Sequence, residues 1–534
     1  MNSASRVLFI YPNLNTQEGF NHGIAALSGA VRATGAETKL LNLNETLNTV
    51  PALEEILTQA RDFDPDLICF SVMSRQYPYA LEIARALRKR YSFPLVIGGV
   101  HASMVPEEIV ADDAFDYIGV GECDHALPEL LRAIKEERNV TAIPNIWARG
   151  DDGWIRNPVG PFPKIEELPP KDFEIFDIDA MLSKMNGWMS LLTSRGCPYR
   201  CTYCFNHKIV KRYKEESEVK ISTYLRRYPL ERVLGEASQL KEKHPDIRTF
   251  IFDDDLFTQN EKAVLAFCSG YRKLNLGVPF VVNAHVQSFT EPMAEALKEA
   301  GCLIVKFGLE SGSERIRRHV LKRIMSDDQI KQAFAIADGA GLHTSAFLMI
   351  GLPLEEREDM EATVDLIATI KPGRFRWSIF TPFPGTEIHD LCLKERLIDP
   401  KKQDSNATFY SGSCLRFTPE IDLFIGKLQR AFHWYVNARA DIPGRDTYRR
   451  LVEEIESLDS VGWKSRSAGF LEEDRRISAG LAGGPDLHYS IRFTQVMAVR
   501  SDFVEENTGF SKPAKEWGKK EPLDEENTAR KNSA

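Results

Sequence analysis

Short apolar runs alternate with amphipathic stretches along the first 140 residues of the chain. The apolar runs predict strands at residues 7–11, 38–43, 66–72, 95–97 and 117–120. The stretches between them repeat their apolar positions with a helical period, which predicts helices at residues 24–34, 53–61 and 79–90. Buried strands that alternate with helices are typical of a parallel, doubly wound sheet. We therefore predict a Rossmann-like domain over residues 1–142.

A second and longer alternation begins near residue 186. Its apolar runs predict strands at residues 190–194, 249–253, 280–283, 303–308, 344–350 and 376–380. Helices are predicted at residues 230–243, 261–274, 291–300, 327–340 and 355–370. This pattern predicts a partial (β/α)6 barrel or a second open sheet over residues 186–395, and in both architectures the chemistry lies at the carboxyl ends of the strands.

The remaining segments lack this regular alternation. Prolines without a sustained period predict a linker at residues 143–185. Residues 396–500 are rich in aromatic residues and predict a mostly helical capping region, with a helix at residues 424–437. Residues 501–534 are dominated by Lys, Glu and Asn and predict a disordered tail. The overall fold class is therefore predicted to be α/β with a helical C-terminal region.

Composition and charge exclude several classes of protein. With 43% hydrophobic and 27% charged residues among 534, the chain is expected to be globular. A net charge of −9 argues against nucleic acid as a partner. The longest apolar run, residues 346–354, is too short to span a membrane, and the first residues do not form a signal peptide. We therefore expect a cytoplasmic protein without a transmembrane segment.

Three of the nine cysteines, Cys197, Cys201 and Cys204, are clustered directly after the predicted strand at residues 190–194. Soft thiolates on one loop favour zinc or an iron–sulfur cluster. A closed zinc site could take His207 as its fourth ligand. A four-iron cluster would instead keep one iron open, because no further cysteine lies between Cys204 and Cys268. The spacing alone leaves both alternatives open.

The C-x3-C-x2-C pattern, with the aromatic Tyr203 before its last cysteine, resembles the radical S-adenosylmethionine (SAM) superfamily. The resemblance implies that Cys197, Cys201 and Cys204 hold a [4Fe–4S] cluster whose fourth iron is chelated by SAM. It also implies that reduction cleaves SAM to a 5′-deoxyadenosyl radical, which abstracts a hydrogen atom from the substrate. An external electron donor of the flavodoxin or ferredoxin type is implied as a partner.

Further segments of the predicted barrel resemble the same superfamily. Residues 252–258, 308–312 and 347–353 are similar to the strand ends that, in the superfamily, face the methionine, ribose and adenine parts of SAM. The resemblance therefore implies a set of SAM-binding residues in addition to the cluster ligands. These residues are Tyr203, Asp254, Asp255, Glu310, Ile350 and Gly351.

Glycines follow two strands of the predicted Rossmann-like domain, at residues 98–99 and 119–121. They mark either a ligand crevice or tight turns. Residues 97–102 and 117–122 resemble the cobalamin-binding domain that precedes many radical SAM cores, although the Asp-x-His-x-x-Gly segment of some cobalamin domains is missing. The residue below cobalt is then expected in the loop at residues 71–77. The resemblance implies cobalamin contacts from Gly98, Gly99, His101, Gly119, Gly121 and Glu122.

These resemblances together predict a cobalamin-dependent radical SAM enzyme that methylates an unactivated carbon of a small-molecule or lipid-like substrate. One SAM would supply the methyl group through cobalt and another would generate the radical. A cyclase or ring-rearranging enzyme of the same architecture is an alternative, because no motif separates these outcomes. A zinc-stabilised binding module, with His207 closing the site, is the alternative from a different class.

Overall fold

The computed structural model describes residues 4–14, 19–217, 219–405, 412–481 and 487–503 of the chain. The tail predicted from residue 501 lies outside this part beyond Phe503. None of the helices in the described ranges is long and apolar enough to cross a membrane.

The N-terminal domain is built on a parallel sheet with helices between its strands, which confirms the predicted Rossmann-like fold. Its parallel strands are β1 (Arg6–Tyr11), β2 (Glu37–Asn42), β3 (Leu67–Ser71), β4 (Leu95–Gly98) and β5 (Tyr117–Gly119). Its helices are α1 (His22–Arg32), α2 (Leu53–Phe63), α3 (Tyr77–Arg90), α4 (Val100–Met104), α5 (Pro106–Val110) and α6 (Ala126–Lys135). The strand order is 2-1-3-4-5, a common doubly wound arrangement that opens a ligand crevice at the carboxyl ends of its strands.

An antiparallel hairpin extends this sheet into the segment predicted as a linker. Strands β6 (Ile146–Gly150) and β7 (Gly153–Arg156) pair in turn beside β5. The hairpin was not predicted, because only its first strand is buried and prolines surround it. Helix α7 (Ile178–Lys184) then leads to the second domain.

The second domain contains six consecutive parallel strands, in the chain order that the sequence predicted. These are β8 (Trp188–Leu191), β11 (Thr249–Phe252), β12 (Phe280–Ala284), β13 (Cys302–Glu310), β14 (His343–Ile350) and β15 (Arg374–Ile379). A separate two-stranded sheet, β9 (Ser194–Arg195) with β10 (Arg226–Arg227), follows β8. The helices of this domain are α8 (Phe205–Ser217), α9 (Leu230–Lys243), α10 (Glu261–Leu274), α11 (Glu291–Glu299), α12 (Asp327–Gly339), α13 (Arg357–Ile370) and α14 (Glu387–Lys394).

The C-terminal region is mostly helical, as predicted, but it also completes the second sheet. Its helices are α15 (Pro400–Ser405), α16 (Pro419–Arg439), α17 (Arg445–Glu456), α18 (Ser460–Ser467) and α19 (Phe470–Leu481). Strands β16 (Tyr489–Ile491) and β17 (Met497–Arg500) form an antiparallel pair, and β17 joins the edge of β15. The aromatic residues of α16 are core residues: Phe432 packs on Trp377 with 5.3 Å between ring centroids.

Candidate functional site

The three clustered cysteines lie on the loop between β9 and α8. Cys201 is buried, whereas Cys197 and Cys204 are partly buried. Burial first, and then Asp255 and the neighbouring thiols of the same trio, raise the pKa of Cys197 to about 11 and that of Cys204 to about 12. The three sulfurs are therefore close enough to repel one another as thiolates. Metal ions bound to such thiols would remove this cost, because they keep a coordinating thiol deprotonated.

The described residues do not form the closed Cys3His site of the zinc alternative. The imidazole Nε2 of His207 lies 3.3 Å from Glu387 Oε2. Across the described ranges no three His, Cys, Asp or Glu side chains lie close enough to hold one metal ion. A cube of iron and sulfide offers a separate iron to each ligand, so its three thiolates need not converge on one point. The donor set on this loop therefore fits a cluster with three protein ligands.

Arg323 is a residue of this site that sequence reasoning missed. Its Nη1 lies 3.5 Å from both the Cys201 Sγ and the Tyr203 hydroxyl, and its Nη2 and Nε donate to the Gly308 carbonyl at 2.6 and 3.0 Å. Burial disfavours its charge, but the anionic forms of Tyr203, Glu310 and Cys201 outweigh burial and hold its pKa above the usual range. A permanent cation therefore stands beside the cysteine loop.

Glu310 lies at a β-bulge near the end of β13 and faces the same cation. Its φ of 68° is in the left-handed region, which is unusual for a residue other than glycine and is common at functional sites. Burial raises the pKa of Glu310, whereas Arg323 and a hydrogen bond with Tyr203 lower it. The structure thus brings together Tyr203 and Glu310, which were both predicted to bind SAM, around Arg323.

Asp254 and Asp255 follow β11, and both were predicted to bind SAM. Their carboxylates form different hydrogen bonds in the structure. Asp254 is fully buried, and its carboxylate accepts hydrogen bonds from the Thr193 N–H, the Thr193 hydroxyl at 2.7 Å and the Ser194 hydroxyl. It therefore fixes the chain just before the cysteine loop. Asp255 lines a cavity between the two domains, and its side chain forms a hydrogen bond with Asn206.

Ile350 and Gly351 lie at the end of β14, beneath the C-terminal region. Ile350 is buried, and a Cβ placed on Gly351 would lie 3.2 Å from Ile425 Cδ1 of α16. Glu355, which sequence reasoning also missed, accepts from the Leu352 N–H at 2.9 Å, and burial raises its pKa to about 8. This buried carboxyl group holds the turn that carries Gly351.

A cavity of about 520 Å³ lies between the two domains, at the carboxyl ends of both sets of strands. This volume falls within the usual range for cofactor and ligand sites. Its N-terminal wall includes most of the residues predicted to contact cobalamin: Gly98, Gly99, Gly119, Gly121 and Glu122. The opposite wall comes from the second domain and includes Arg195, Gly196, Phe205, Asn206 and Asp255. The cavity thus touches the residues on either side of the cysteine loop.

The glycines of this wall have distinct roles. Gly99 has a φ of 93°, and a Cβ at this position would lie 2.7 Å from the Val72 backbone N and O. Its lack of a side chain therefore lets β3 and β4 approach each other beyond their ends. A Cβ on Gly98 would meet nothing closer than 3.8 Å, so Gly98 leaves free space that a bulky ligand can use.

His101 was predicted to contact cobalamin, but it does not appear in the cavity wall among the described residues. It is buried, with Nδ1 3.1 Å from the Ser74 hydroxyl and its ring 4.5 Å from that of Tyr77. Burial lowers its pKa to about 4. The loop at residues 71–77, where the residue below cobalt is expected, contributes Ser71, Val72, Met73 and Gln76 to the wall.

Comparison with known proteins identifies both domains. A model of the Radical SAM superfamily matches residues 191–367, and a model of the B12 binding domain matches residues 16–131. An uncharacterized methyltransferase of Pyrococcus horikoshii is 27% identical over 380 residues, covering 70% of this chain and 79% of the relative. Anaerobic magnesium-protoporphyrin IX monomethyl ester cyclase of Rubrivivax gelatinosus is 23% identical over 415 residues, covering 74% and 72%.

A solved structure shares the fold of both domains. The radical SAM methyltransferase TsrM of Kitasatospora setae, solved with cobalamin and a [4Fe–4S] cluster bound, has a TM-score of 0.59 to this chain at 19% identity. The match covers 74% of this chain and 75% of TsrM.

Proposed function

Because the chain belongs to the cobalamin-binding radical SAM family, we propose that it transfers a methyl group from SAM to an unactivated carbon. The observation that carries this proposal is the shared cavity, whose walls combine the glycine-rich edge of the B12-binding domain with residues flanking the cysteine loop. A methyl donor at cobalt and a radical formed at the cluster must both reach one substrate carbon. A single cavity between the two domains meets this requirement.

The chain's own residues bind and orient the reactants. Cys197, Cys201 and Cys204 would hold the cluster, and the cavity would hold cobalamin. When bound, the cluster supplies the electron that cleaves SAM, and cobalamin supplies a cobalt centre that carries a methyl group. The Arg323 guanidinium favours the negatively charged thiolates. Helix α16 covers Gly351, which would exclude water from the adenine side of SAM.

The atoms and electrons of the proposed reaction balance with an external reductant. One SAM loses its methyl group and leaves S-adenosylhomocysteine. Another SAM takes up an electron and gives methionine and, after the hydrogen abstraction, 5′-deoxyadenosine. The substrate carbon exchanges this hydrogen for the methyl group. Each turnover would therefore consume two SAM molecules and two electrons, the second electron being the one that bound cobalamin would need before it accepts another methyl group.

The relative from Rubrivivax gelatinosus supports ring formation as a second candidate. The two candidates differ in whether SAM loses its methyl group. We expect the anaerobically reconstituted holoenzyme, incubated with titanium citrate and methyl-labelled SAM, to form about one S-adenosylhomocysteine per bound cobalamin. Mass spectrometry of the nucleosides measures this product. Formation of 5′-deoxyadenosine without any S-adenosylhomocysteine would contradict methyl transfer and favour the cyclase.

Replacing Gly98 with leucine should prevent cobalamin binding without unfolding the domain. The new side chain would fill the free space in the cavity, because its Cβ would have only ordinary contacts. We expect cobalamin content to fall at least tenfold while iron and sulfide content stays at the parent level. Visible absorbance and iron analysis measure both quantities. An equivalent leucine at Gly235, an outward position of α9 with no atom within 4 Å of its Cβ, is the control.

We also propose a docking site for an acidic electron donor beside the cysteine loop. Burial lowers the pKa of His207 and Glu387 opposes this, while Lys322, Arg200 and Lys211 lower it further, so these three cations lie near one imidazole. Lys322 is also ion-paired with Glu387, and Lys211 lies 3.9 Å from Glu215. Arg200 lies between two of the cluster cysteines, and the side chains of Lys211 and Lys322 are 60% and 51% exposed. Such a patch attracts the acidic surface of a flavodoxin.

Replacing Lys211 with glutamate should therefore slow flavodoxin-driven SAM cleavage about threefold or more at low ionic strength. The rate with dithionite should not change, because a small reductant needs no docking surface. The matched control is Lys273→Glu on α10, an exposed lysine of an outer helix. Equal loss of rate with both reductants would contradict the docking site.

A further inference from the structure

The loop after β5 contacts the chain on both sides of the three cysteines. We propose that residues 121–124, called here the coupling segment, link the cobalamin cavity to the cluster loop, so that cobalamin and SAM bind cooperatively. This inference rests on the proposed pair of cofactors but not on methyl transfer as the outcome. It concerns positioning residues, since none of them touches a reacting atom in the arrangement described above.

The contact before the cysteines is a buried network of ion pairs. Arg195, two residues before Cys197, donates from Nη1 and Nη2 to the two carboxylate oxygens of Asp124 at 2.9 and 3.0 Å. The same Nη1 lies 2.9 Å from Glu122 Oε2, and Nε donates to the Tyr228 hydroxyl at 2.8 Å. Asp124 is 6% exposed. Two-point contacts of this kind fix the orientation of the guanidinium as well as its position.

The Glu122 carboxylate also binds strand β10, which pairs with β9. Arg226 donates to both oxygens of Glu122, and its Nη1 also donates to the Pro163 carbonyl at 2.9 Å. Arg226 and Arg195 are direct partners in the antiparallel register of the two strands. Glu122 therefore bridges two like charges that face each other across this small sheet, and together with Asp124 it balances them.

The contact after the cysteines involves α8, which begins directly after Cys204. The Tyr213 hydroxyl of this helix accepts from the Glu122 N–H at 2.7 Å, and its ring stacks on Phe162 at 3.9 Å. A Cβ on Gly121 would lie 2.5 Å from this hydroxyl, so only glycine permits the approach. Both ends of the cysteine loop are thus attached to one four-residue segment.

The coupling segment is at the same time part of the cavity wall. Gly121, Glu122, Cys123 and Asp124 all line the cavity, together with Arg195 from the other domain. A ligand that orders this wall will also order the attachments of the cysteine loop. By thermodynamic linkage, SAM bound at the cluster must then favour cobalamin binding by the same factor.

The test uses the double variant Glu122→Gln with Asp124→Asn, in which the segment keeps its shape and loses its charge. In the parent holoenzyme we expect cobalamin to tighten SAM binding about tenfold and to change the electron paramagnetic resonance spectrum of the reduced cluster. In the variant both effects should be lost at a cobalamin concentration that saturates its own site, while iron and sulfide contents stay at parent levels. Asp116→Asn, which weakens an ion pair with Arg88 inside the N-terminal domain, is the control.

Two results would overturn the coupling. In the first, cobalamin changes neither the SAM affinity of the parent nor the electron paramagnetic resonance spectrum of its reduced cluster. In the second, cobalamin changes both quantities in the double variant as much as in the parent. If the double variant does not assemble a cluster, Tyr213→Phe replaces it, since this change removes the hydroxyl that accepts from the Glu122 N–H at 2.7 Å and from Asn145 Nδ2 at 3.3 Å and leaves every charge in place. Failure of the proposed function gives a different result, namely absence of S-adenosylhomocysteine from a protein that binds both cofactors.

Discussion

Replacing Arg323 with methionine is expected to lower the rate of 5′-deoxyadenosine formation from SAM by at least about 100-fold. Its guanidinium is the cation nearest to Cys201 and it also faces Glu310 and Tyr203, two residues predicted to bind SAM. Methionine replaces the apolar stem of the arginine side chain but has no charge and no donor for the Gly308 carbonyl. The cluster loop would then lose the charge that favours its thiolates, and the end of β13 would lose its anchor.

Stability gives an independent measure of the same residue. Without Arg323, the partly buried Glu310 carboxylate lacks its nearby positive charge and the Gly308 carbonyl loses its donors, and we expect the free energy of unfolding to fall by about 2 kcal/mol. Adding Glu310→Gln to the same chain should recover part of this loss, because the unpaired charge is then removed. Denaturant unfolding measures the free energy of unfolding, and nucleoside analysis measures the rate of 5′-deoxyadenosine formation. Arg318→Met, an exposed residue paired with Glu314, is the control, and equal effects of both substitutions would contradict the assigned role.

The second large effect is expected from replacing Asp254 with alanine. The substitution leaves the Thr193 N–H, the Thr193 hydroxyl and the Ser194 hydroxyl without their acceptor in a buried environment. At about 1–3 kcal/mol for each unsatisfied group, partly relieved by water, we expect a loss of about 3–5 kcal/mol and poor assembly of the cluster. Urea unfolding measures the loss of stability, and iron analysis measures how much cluster is assembled.

Asp253→Ala supplies the matched comparison at the neighbouring position. Asp253 is 42% exposed, accepts from the Ser190 hydroxyl at 2.7 Å and lies 3.5 Å from Lys306 Nζ, so its removal should cost about 1–2 kcal/mol, less than that of Asp254. If the Asp254 variant were as stable and as rich in iron as the Asp253 variant, the anchoring role of Asp254 would be wrong. Asp254 was predicted to bind SAM, and in the structure its carboxylate accepts hydrogen bonds from Thr193 and Ser194 of the chain itself.

The fold was largely predictable, because most of the parallel strands are largely buried and form nearly continuous apolar runs in the sequence, with the edge strand β2 as the exception. The bounds of β11 and β14 agree with prediction to within one residue, whereas β8 begins two residues early at Trp188. The hairpin β6–β7 was missed because its second strand, β7, is largely exposed and carries no apolar run. The C-terminal pair β16–β17 was missed because such short strands carry too little pattern.

The site was predictable where it depends on local spacing and not where it depends on distant contacts. The cysteine triplet is visible within eight residues of sequence. Arg323, in contrast, reaches Cys201 across 122 positions of the chain, and it is one of several arginines and lysines around the π-helical turn Ile316–Val320. Glu122 was expected to contact cobalamin, yet its carboxylate binds two arginines of the other domain.

Because β17 pairs with β15, the C-terminal strands are part of the sheet that carries the radical SAM domain. A six-stranded sheet that does not close has free backbone donors and acceptors at its margins, and these invite association between copies. Here one margin, the edge of β15, is occupied by β17 of the same chain. A fragment cut at residue 367, where the superfamily match stops, would lack both β15 and this cover. The C-terminal segment therefore covers the β15 edge of the sheet and prevents copies of the enzyme from aggregating through it.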